Sequence, residues 1–294
     1  LKTCRRLSSA AALAACLSLI GLCGAAGGTP GPQVTLKASF SPERLGHETT
    51  IRLSFAVFYP PGQPLQAVRE LRLLLPAGLS VTSSELGLAN CSIGALERRG
   101  AFGCPTNSLM GHGSAVSEVP FGAAFVREKT RILLFSGPLQ QGHPQLLFLA
   151  SGNYPVIATF AFSSLILASR PPFGGLIDTM LPIVQGVPEG PDVALVKLST
   201  TIGPAGITYR ELIKGRVVSF RPKGIMLPSR CPAGGFPFAV TLILQDGSAS
   251  HTSISVPCTR QWRAGTPDAT RAQPPKRPST HPDLVSLSTW LAPS

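Results

Sequence analysis

The sequence predicts an all-β protein, and three observations carry that expectation. Charged residues are 14% of the chain against 44% hydrophobic, which leaves little material for long charged amphipathic helices. Gly (30) and Pro (29) together make about a fifth of the 294 residues. Between these breakers recur short runs of β-branched, aromatic or alternating apolar residues, the rhythm of many strands joined by turns.

The chain opens LKTCRRLSSAAALAACLSLIGLCGAAGG, with Lys2, Arg5 and Arg6 ahead of an apolar run from Ala10 to Leu22 and small residues from Gly24 to Ala26. A basic start, an apolar middle and a small-residue end are the pattern of a signal peptide over 1–26. The apolar run falls short of the ~20 residues that span a bilayer. Leu22 stands before Cys23 where lipoprotein signals carry Gly or Ala, so cleavage near Ala26 is preferred and a lipid anchor on Cys23 is the minority alternative. The expected location is secreted or extracytoplasmic, in association with the cell envelope.

A Gly/Pro-rich linker at 27–33 leads to VTLKASF (34–40) and TTIRLSFAVF (49–58), whose alternation predicts two half-buried strands joined as a hairpin through a turn with Pro42 and Gly46. VRELRLLLPAGLSV (68–81) reads as a strand broken at Pro76-Ala77-Gly78, and 93–99 as a short helix. GAAFVREKTRILLF, QLLFLAS and YPVIATFAFSSLILA follow as core strands. The stretch 154–168 is apolar enough for a buried helix, but Pro155, Thr159 and its β-rich content favour a strand. GLIDTMLPIV, DVALVKLSTTIG, GRVVSF, FAVTLILQDG and HTSISVPC continue the pattern, giving more than ten strands. The dipeptides Cys104-Pro105 and Cys231-Pro232 suggest two similar corners, hence a first β lobe at 34–121 and a second at 122–259, with one continuous domain as the alternative. From 260 to 294 the composition turns to Pro, Arg, Ser and Thr, which predicts a disordered basic tail ending in the weakly apolar DLVSLSTWLAPS.

Cys4, Cys16 and Cys23 fall in the leader, which leaves Cys91, Cys104, Cys231 and Cys258. An even number in an oxidising compartment suggests two disulfides. Of the three connectivities, the pairing of sequence neighbours is preferred, Cys91 with Cys104 and Cys231 with Cys258. Their spacings match no usual zinc pattern. The net charge of +12 falls to +9 with the leader's three cations removed. That excess suits anionic cell-wall polymers, lipid headgroups or extracellular nucleic acid as partners, with a soluble protein merely kept dispersed by its charge as the alternative. Aromatic residues, at 6%, are not interleaved with Arg and Lys, so no sequence-specific nucleic-acid reader is expected.

Chemical signatures are thin. The segment CPTNSLMGHGSAVSEV (104–119) holds a cysteine, a histidine and a serine, but no GxSxG elbow occurs, and His112 with Ser114 lack a partner from another segment. A tight turn or bulge at Gly111 and Gly113, leading into the strand SAVSEV, is the preferred reading. His47, His112, His143, His251 and His281 are dispersed, several beside Gly or Pro in turn-like contexts, so they read as surface loop residues and no metal site is expected. The acids Glu43, Glu118, Glu128, Asp178, Glu189, Asp192 and Asp246 could supply the carboxylate pair of a glycosidase only if folding juxtaposed two of them. Walker and dinucleotide fingerprints are missing, and no cofactor is expected. Asn90-Cys91-Ser92 is formally a glycosylation sequon with an unfavourable central cysteine.

LPAGLSV (75–81), then Cys91, then CPTNSLMGHGSAVSEV, and later SFRPKGIMLPSRCPAGGFPFAVTLILQDG and SVPC, resemble a pattern in exported β-rich (Ig-like) proteins of high-GC Gram-positive bacteria. The resemblance spans most of 34–260. It implies a secreted, Ig-like β-sandwich architecture and brings no activity, substrate or catalytic residue. The expected function is therefore an exported, non-enzymatic β protein of the envelope, serving adhesion or surface structure. The alternatives are a secreted hydrolase of an envelope polymer and a soluble ligand-binding protein with a groove between β lobes.

Overall fold

The computed structural model describes residues 31–82, 89–121, 124–155, 157–185, 192–203, 207–221, 224–258 and 285–286. The leader at 1–26 and the tail at 260–294, apart from 285–286, lie outside the described residues.

The fold is all-β. β1 (Gln33–Ser41) turns Val34, Leu36 and Phe40 inward between exposed Thr35 and Lys37, and pairs antiparallel along its length with β2 (Glu48–Phe58). β3 (Val68–Pro76) ends at the Ala77-Gly78 turn, where Gly78 takes φ +82°, a conformation that costs a Cβ-bearing residue, and β4 (Ser80–Thr82) follows. The one α-helix among the described residues, α1 (Ile93–Arg99), starts where the Ser92 side chain accepts from the Ala95 N–H and ends on Arg98 and Arg99, which suit its negative pole.

β5 (Leu109–Phe121), β6 (Ala124–Gln140), β7 (His143–Ser151), β8 (Thr159–Ala168) and β9 (Phe173–Met180) form an antiparallel meander, each strand paired with the next. The ambiguous stretch 154–168 is thus a strand from Thr159 onward. β10 (Ala194–Ile202) then crosses to insert between β5 and β2. β11 (Tyr209–Ile213) and β12 (Arg216–Phe220) make a separate hairpin. β13 (Gly224–Met226), β14 (Phe236–Leu244), β15 (Ala249–Val256) and β16 (Val285–Ser286) complete the set. β16 pairs with β4 at Val81 and Ser80, so two residues of the predicted tail dock on the body as a strand.

The large sheet runs β15-β14-β3-β9-β8-β7-β6-β5-β10-β2, with β1 on β2 at its far end. It curls until β1 lies beside β15, which makes a near-barrel of 11 strands. Every ladder in it is antiparallel, so an odd number of strands leaves β1 and β15 running the same way, and the seam between them closes by packing. The expected boundary between two lobes falls between β5 and β6, which pair with each other from Phe121 and Ala124 onward, and strands on both sides of it share one sheet and one core. The inward faces of β2, β3, β7 and β14 supply most of that core. At one end Phe40 packs on Phe236 and Phe238, with ring centroids 5.1 and 5.7 Å apart, and plugs the barrel. A smaller core on the outer face sets Leu96 of α1 against Phe135, Leu147 and Leu149.

The disulfides join Cys91 to Cys104 and Cys231 to Cys258, the two pairs of sequence neighbours. The first ties the chain before α1 to the chain after it and holds the helix on the sheet. The second links the segment before β14 to the end of β15. Two disulfides fit an extracytoplasmic location. Among the described residues no helix is long and apolar enough to cross a membrane.

Candidate ligand-binding cavity

Inside the barrel, toward the end opposite the Phe40 plug, lies a cavity of about 140 Å³. Its walls come from inward positions of eight strands. Leu53 of β2, Leu71 and Leu73 of β3, and Leu198 of β10 supply aliphatic surface. Phe148 and Phe162, stacked at 5.0 Å on β7 and β8, supply a flat aromatic panel with Phe160 beside it. Small inward residues leave the space open: Ala115 on β5 and Ala150 on β7, both buried, sit where larger side chains would meet across the barrel. On β10 the lining runs from Leu195 to Ile202, roughly 23 Å of strand, so the cavity is long and narrow.

The loop after β7 (Gly152 and Ala158) and the segment after β9 (Leu181, Pro182 and Val184) frame one end. Around this mouth Tyr154, Ile157, Met180 and Ile183 are exposed, Ile157 to 88% and Tyr154 to 73%. Apolar side chains gathered beside an apolar opening are more informative than ones scattered singly.

Few polar groups interrupt the lining. Thr179 exchanges a hydrogen bond of 2.6 Å with Ser164. Glu128, buried in the wall with a partner of its own, is the single ionisable lining residue. Thr200 differs from these. It is 7% exposed, its Oγ1 is buried, and among the described residues that oxygen has no hydrogen-bond partner. A buried hydroxyl left unsatisfied costs on the order of 1–3 kcal/mol, which a ligand's polar group would recover.

The residues named from sequence end in several places. His112 and Ser114 lie on the outer face of β5, side by side and away from the cavity; His112 is in the body of a strand, where a turn or bulge was the expectation, and the bulge comes earlier, between Leu109 and Gly111. Gly111 and Gly113 are required by space: a Cβ would stand 2.2 Å from the Thr201 carbonyl oxygen and 2.4 Å from that of Ser199 on β10. His47 Nδ1 meets the Leu45 carbonyl at 2.8 Å in a turn, His143 opens β7, and His251 is exposed on β15, so with His112 three of the supposed loop histidines are strand residues. His281 and Glu189 lie outside the described residues. Among those described, no group of His, Cys, Asp and Glu could hold a metal ion.

Of the acids, Glu118 takes Arg127 at 3.1 Å. Glu43 follows β1 in an exposed turn, and Asp192 bridges to Gln185 near the cavity's open end. Asp246 orders a turn by accepting from the Ser248 N–H and from Gln66 Nε2, each at 2.8 Å, and hydrogen bonding from the Ser248 side chain first, then Gln66 and the Ser248 N–H, holds its carboxyl below the usual range. Asp178 alone gains a carboxylate neighbour, Glu70, which sequence reasoning missed because it sits 108 positions away on a strand paired only in three dimensions. Arg72 contacts Glu70 at 2.5 Å and Asp178 at 3.9 Å. Burial first, then the Glu70 charge, push the Asp178 carboxyl above its ordinary value. This cluster lies on the outer face of β3 and β9, apart from the cavity.

The cavity was illegible in the sequence; its one local trace is small residues, Ala115 and Ala150, at inward strand positions where the flanking inward residues are large. No protein-family model, no curated protein and no solved structure matches this chain.

Proposed function

We propose that this protein binds a slender, mostly apolar molecule inside its barrel and shields it from water. The observation that carries the reading is the long apolar cavity whose buried Thr200 hydroxyl lacks a partner. Its volume is close to the ~150 Å³ of cavities that accept a benzene-sized guest and below the ~300 Å³ typical of drug-sized sites, so the occupant is narrow: an alkyl or isoprenoid chain, or a single ring. One hydrogen-bonding group on that molecule would reach Thr200. The exposed apolar residues at the mouth suit a ligand collected from a membrane or handed over by another carrier.

Of the functions the sequence leaves open, ligand binding gains support, in a barrel interior where a groove between lobes was the expectation. Hydrolysis gains little, because among the described lining residues Glu128 is alone in being ionisable, and its neighbour Ser117 has no histidine or second carboxylate in the wall to activate it.

The test is titration of the purified, disulfide-intact protein with fluorescent alkyl, isoprenoid and aromatic probes, alongside mass spectrometry of organic extracts of the protein as isolated. Saturable uptake of one class at unit stoichiometry is expected. Ala150→Leu and Ala115→Leu, which fill the cavity, should each weaken uptake by about tenfold while the melting temperature stays level or rises. Absence of uptake for all three classes, with nothing in the extract, would sink the proposal.

A further inference from the structure

A second surface, independent of the cavity, has the chemistry of a binding site. On the outer face of β1, β2, β10, β5 and β6, residues from distant parts of the chain line up in register. Lys37, Ser54, Ser199, Ser114 and Arg131 form one row straight across the five strands. The next row places Arg52, Thr201 and His112 side by side, and the row on the other flank carries Lys197, Val116 and Lys129. Each of the five strands therefore contributes a basic side chain to one face, and the three rows contain no acid. Glu118, one row further along β5, is already held by Arg127. Among the described residues no salt bridge engages Lys37, Arg52, Lys129, Arg131 or Lys197.

The middle of this face is an open depression of about 650 Å³, floored by hydroxyls from Ser54, Ser114, Ser199 and Thr201 and flanked by Lys37, Arg52 and His112. Four steps between strands separate Lys37 from Arg131, about 19 Å at the usual strand spacing. The row thus has cations at both ends and three serine hydroxyls between them. That is a track for an extended anionic chain, with charges for its phosphates and donors for the oxygens between, where a compact anion would need convergent groups.

We infer that this face binds a linear polyol-phosphate polymer. Three features select that occupant. Hydroxyl and guanidinium donors suit phosphodiester oxygens. The rows contain no Trp, Tyr or Phe, so the stacking that holds nucleobases or sugar rings is missing, which disfavours single-stranded nucleic acid and ring-based polysaccharides. The depression presents no protruding apolar side chain for insertion into a lipid surface. Gly111 and Gly113 let β5 approach β10 closely enough for Ser114 and His112 to stand level with Ser199 and Thr201, which gives the histidine and serine of GHGSA a role in the track.

The experiment titrates the full, disulfide-intact chain with poly(glycerol phosphate) of defined length at two salt concentrations, with single-stranded DNA, a polyuronate and phosphatidylglycerol vesicles as parallel arms. Lys37→Glu, Arg52→Glu and Arg131→Glu combined should lower affinity for poly(glycerol phosphate) at least about thirtyfold and flatten its salt dependence. Arg170→Glu, Arg216→Glu and Arg230→Glu combined change net charge equally at exposed positions elsewhere and should cost less than about threefold, by loss of long-range attraction alone. Arg52→Gln with Arg131→Gln, which preserves size, repeats the test with less perturbation and should weaken binding in the same direction while the melting temperature holds. Equal losses in the two charge-reversed proteins would overturn the inference, because net charge would then suffice. Tighter binding of DNA, polyuronate or vesicles than of poly(glycerol phosphate) would overturn the choice of occupant.

Discussion

The Ser250 hydroxyl donates a hydrogen bond to the backbone carbonyl of Pro32, 218 positions earlier, and so pins the start of β15 to the start of β1. The two strands run parallel at this seam while every other neighbouring pair in the barrel is antiparallel, and among the described residues no backbone ladder joins them. A single side-chain bond and apolar packing take its place.

Ser250→Ala removes that pin. The expected loss is about 1 kcal/mol of global stability, the net worth of one such bond, read as a lower denaturant midpoint. Hydrogen exchange should accelerate first in β1 and β15. Uniform acceleration across the sheet would show that the seam does not open separately.

The disulfides act on different parts. Replacing Cys91 and Cys104 by Ser frees a crosslink of sequence separation 13, worth about 3 kcal/mol in the chain-entropy account. The Cys231–Cys258 crosslink, separation 27, is worth about 3.5 kcal/mol. The first change should also loosen α1 from Phe135 and Leu147, visible as protease cutting near residues 98–99 with the barrel intact. Denaturant melts of each double variant, with the remaining disulfide checked by mass, measure both.

Asp178 contributes a pH dependence of definite sign. Its native carboxyl holds a proton more tightly than in the unfolded chain, because burial and Glu70 oppose its charge. Stability from this group therefore falls as pH rises from the ordinary carboxylate range through the elevated native value. Asp178→Asn should melt later than the parent at pH 7, and the difference should shrink as acid protonates the parent's carboxyl. A variant that melts earlier at pH 7 would mean that the Arg72 contact outweighs burial.

Tyr209 supplies the alkaline counterpart. It is fully buried, its hydroxyl donates to the Leu109 carbonyl, and burial pushes it up from 10.0 to about 12. Its contribution is complete below pH 10 and is lost as pH climbs toward 12, since ionisation then favours the unfolded chain. Tyr209→Phe should flatten the alkaline limb of the stability profile and cost about 1–2 kcal/mol at neutral pH by stranding the Leu109 carbonyl. Titration of tyrosinate absorbance gives an independent reading.

The all-β class, the strand alternation, the short helix at 93–99 and the neighbouring disulfides were all legible in the sequence, because each rests on residues close together in the chain. Val34, Leu36 and Phe40 declare an inward face by their spacing alone. The meander from β5 to β9 follows from the same local logic, since short connections leave adjacent strands little choice of partner. Only the tertiary structure decided the rest. β10 pairs with β2 and β5, and β3 with β9 and β14, between strands far apart in the chain, and nothing local distinguishes these edges from others of equal polarity. Those long-range pairings determine which inward residues face each other and leave the space around Thr200 unfilled. They also set Lys37, Arg52, Lys197 and Arg131 on one outer face, where charges scattered through the sequence become a patch because strands 4.8 Å apart carry them in register.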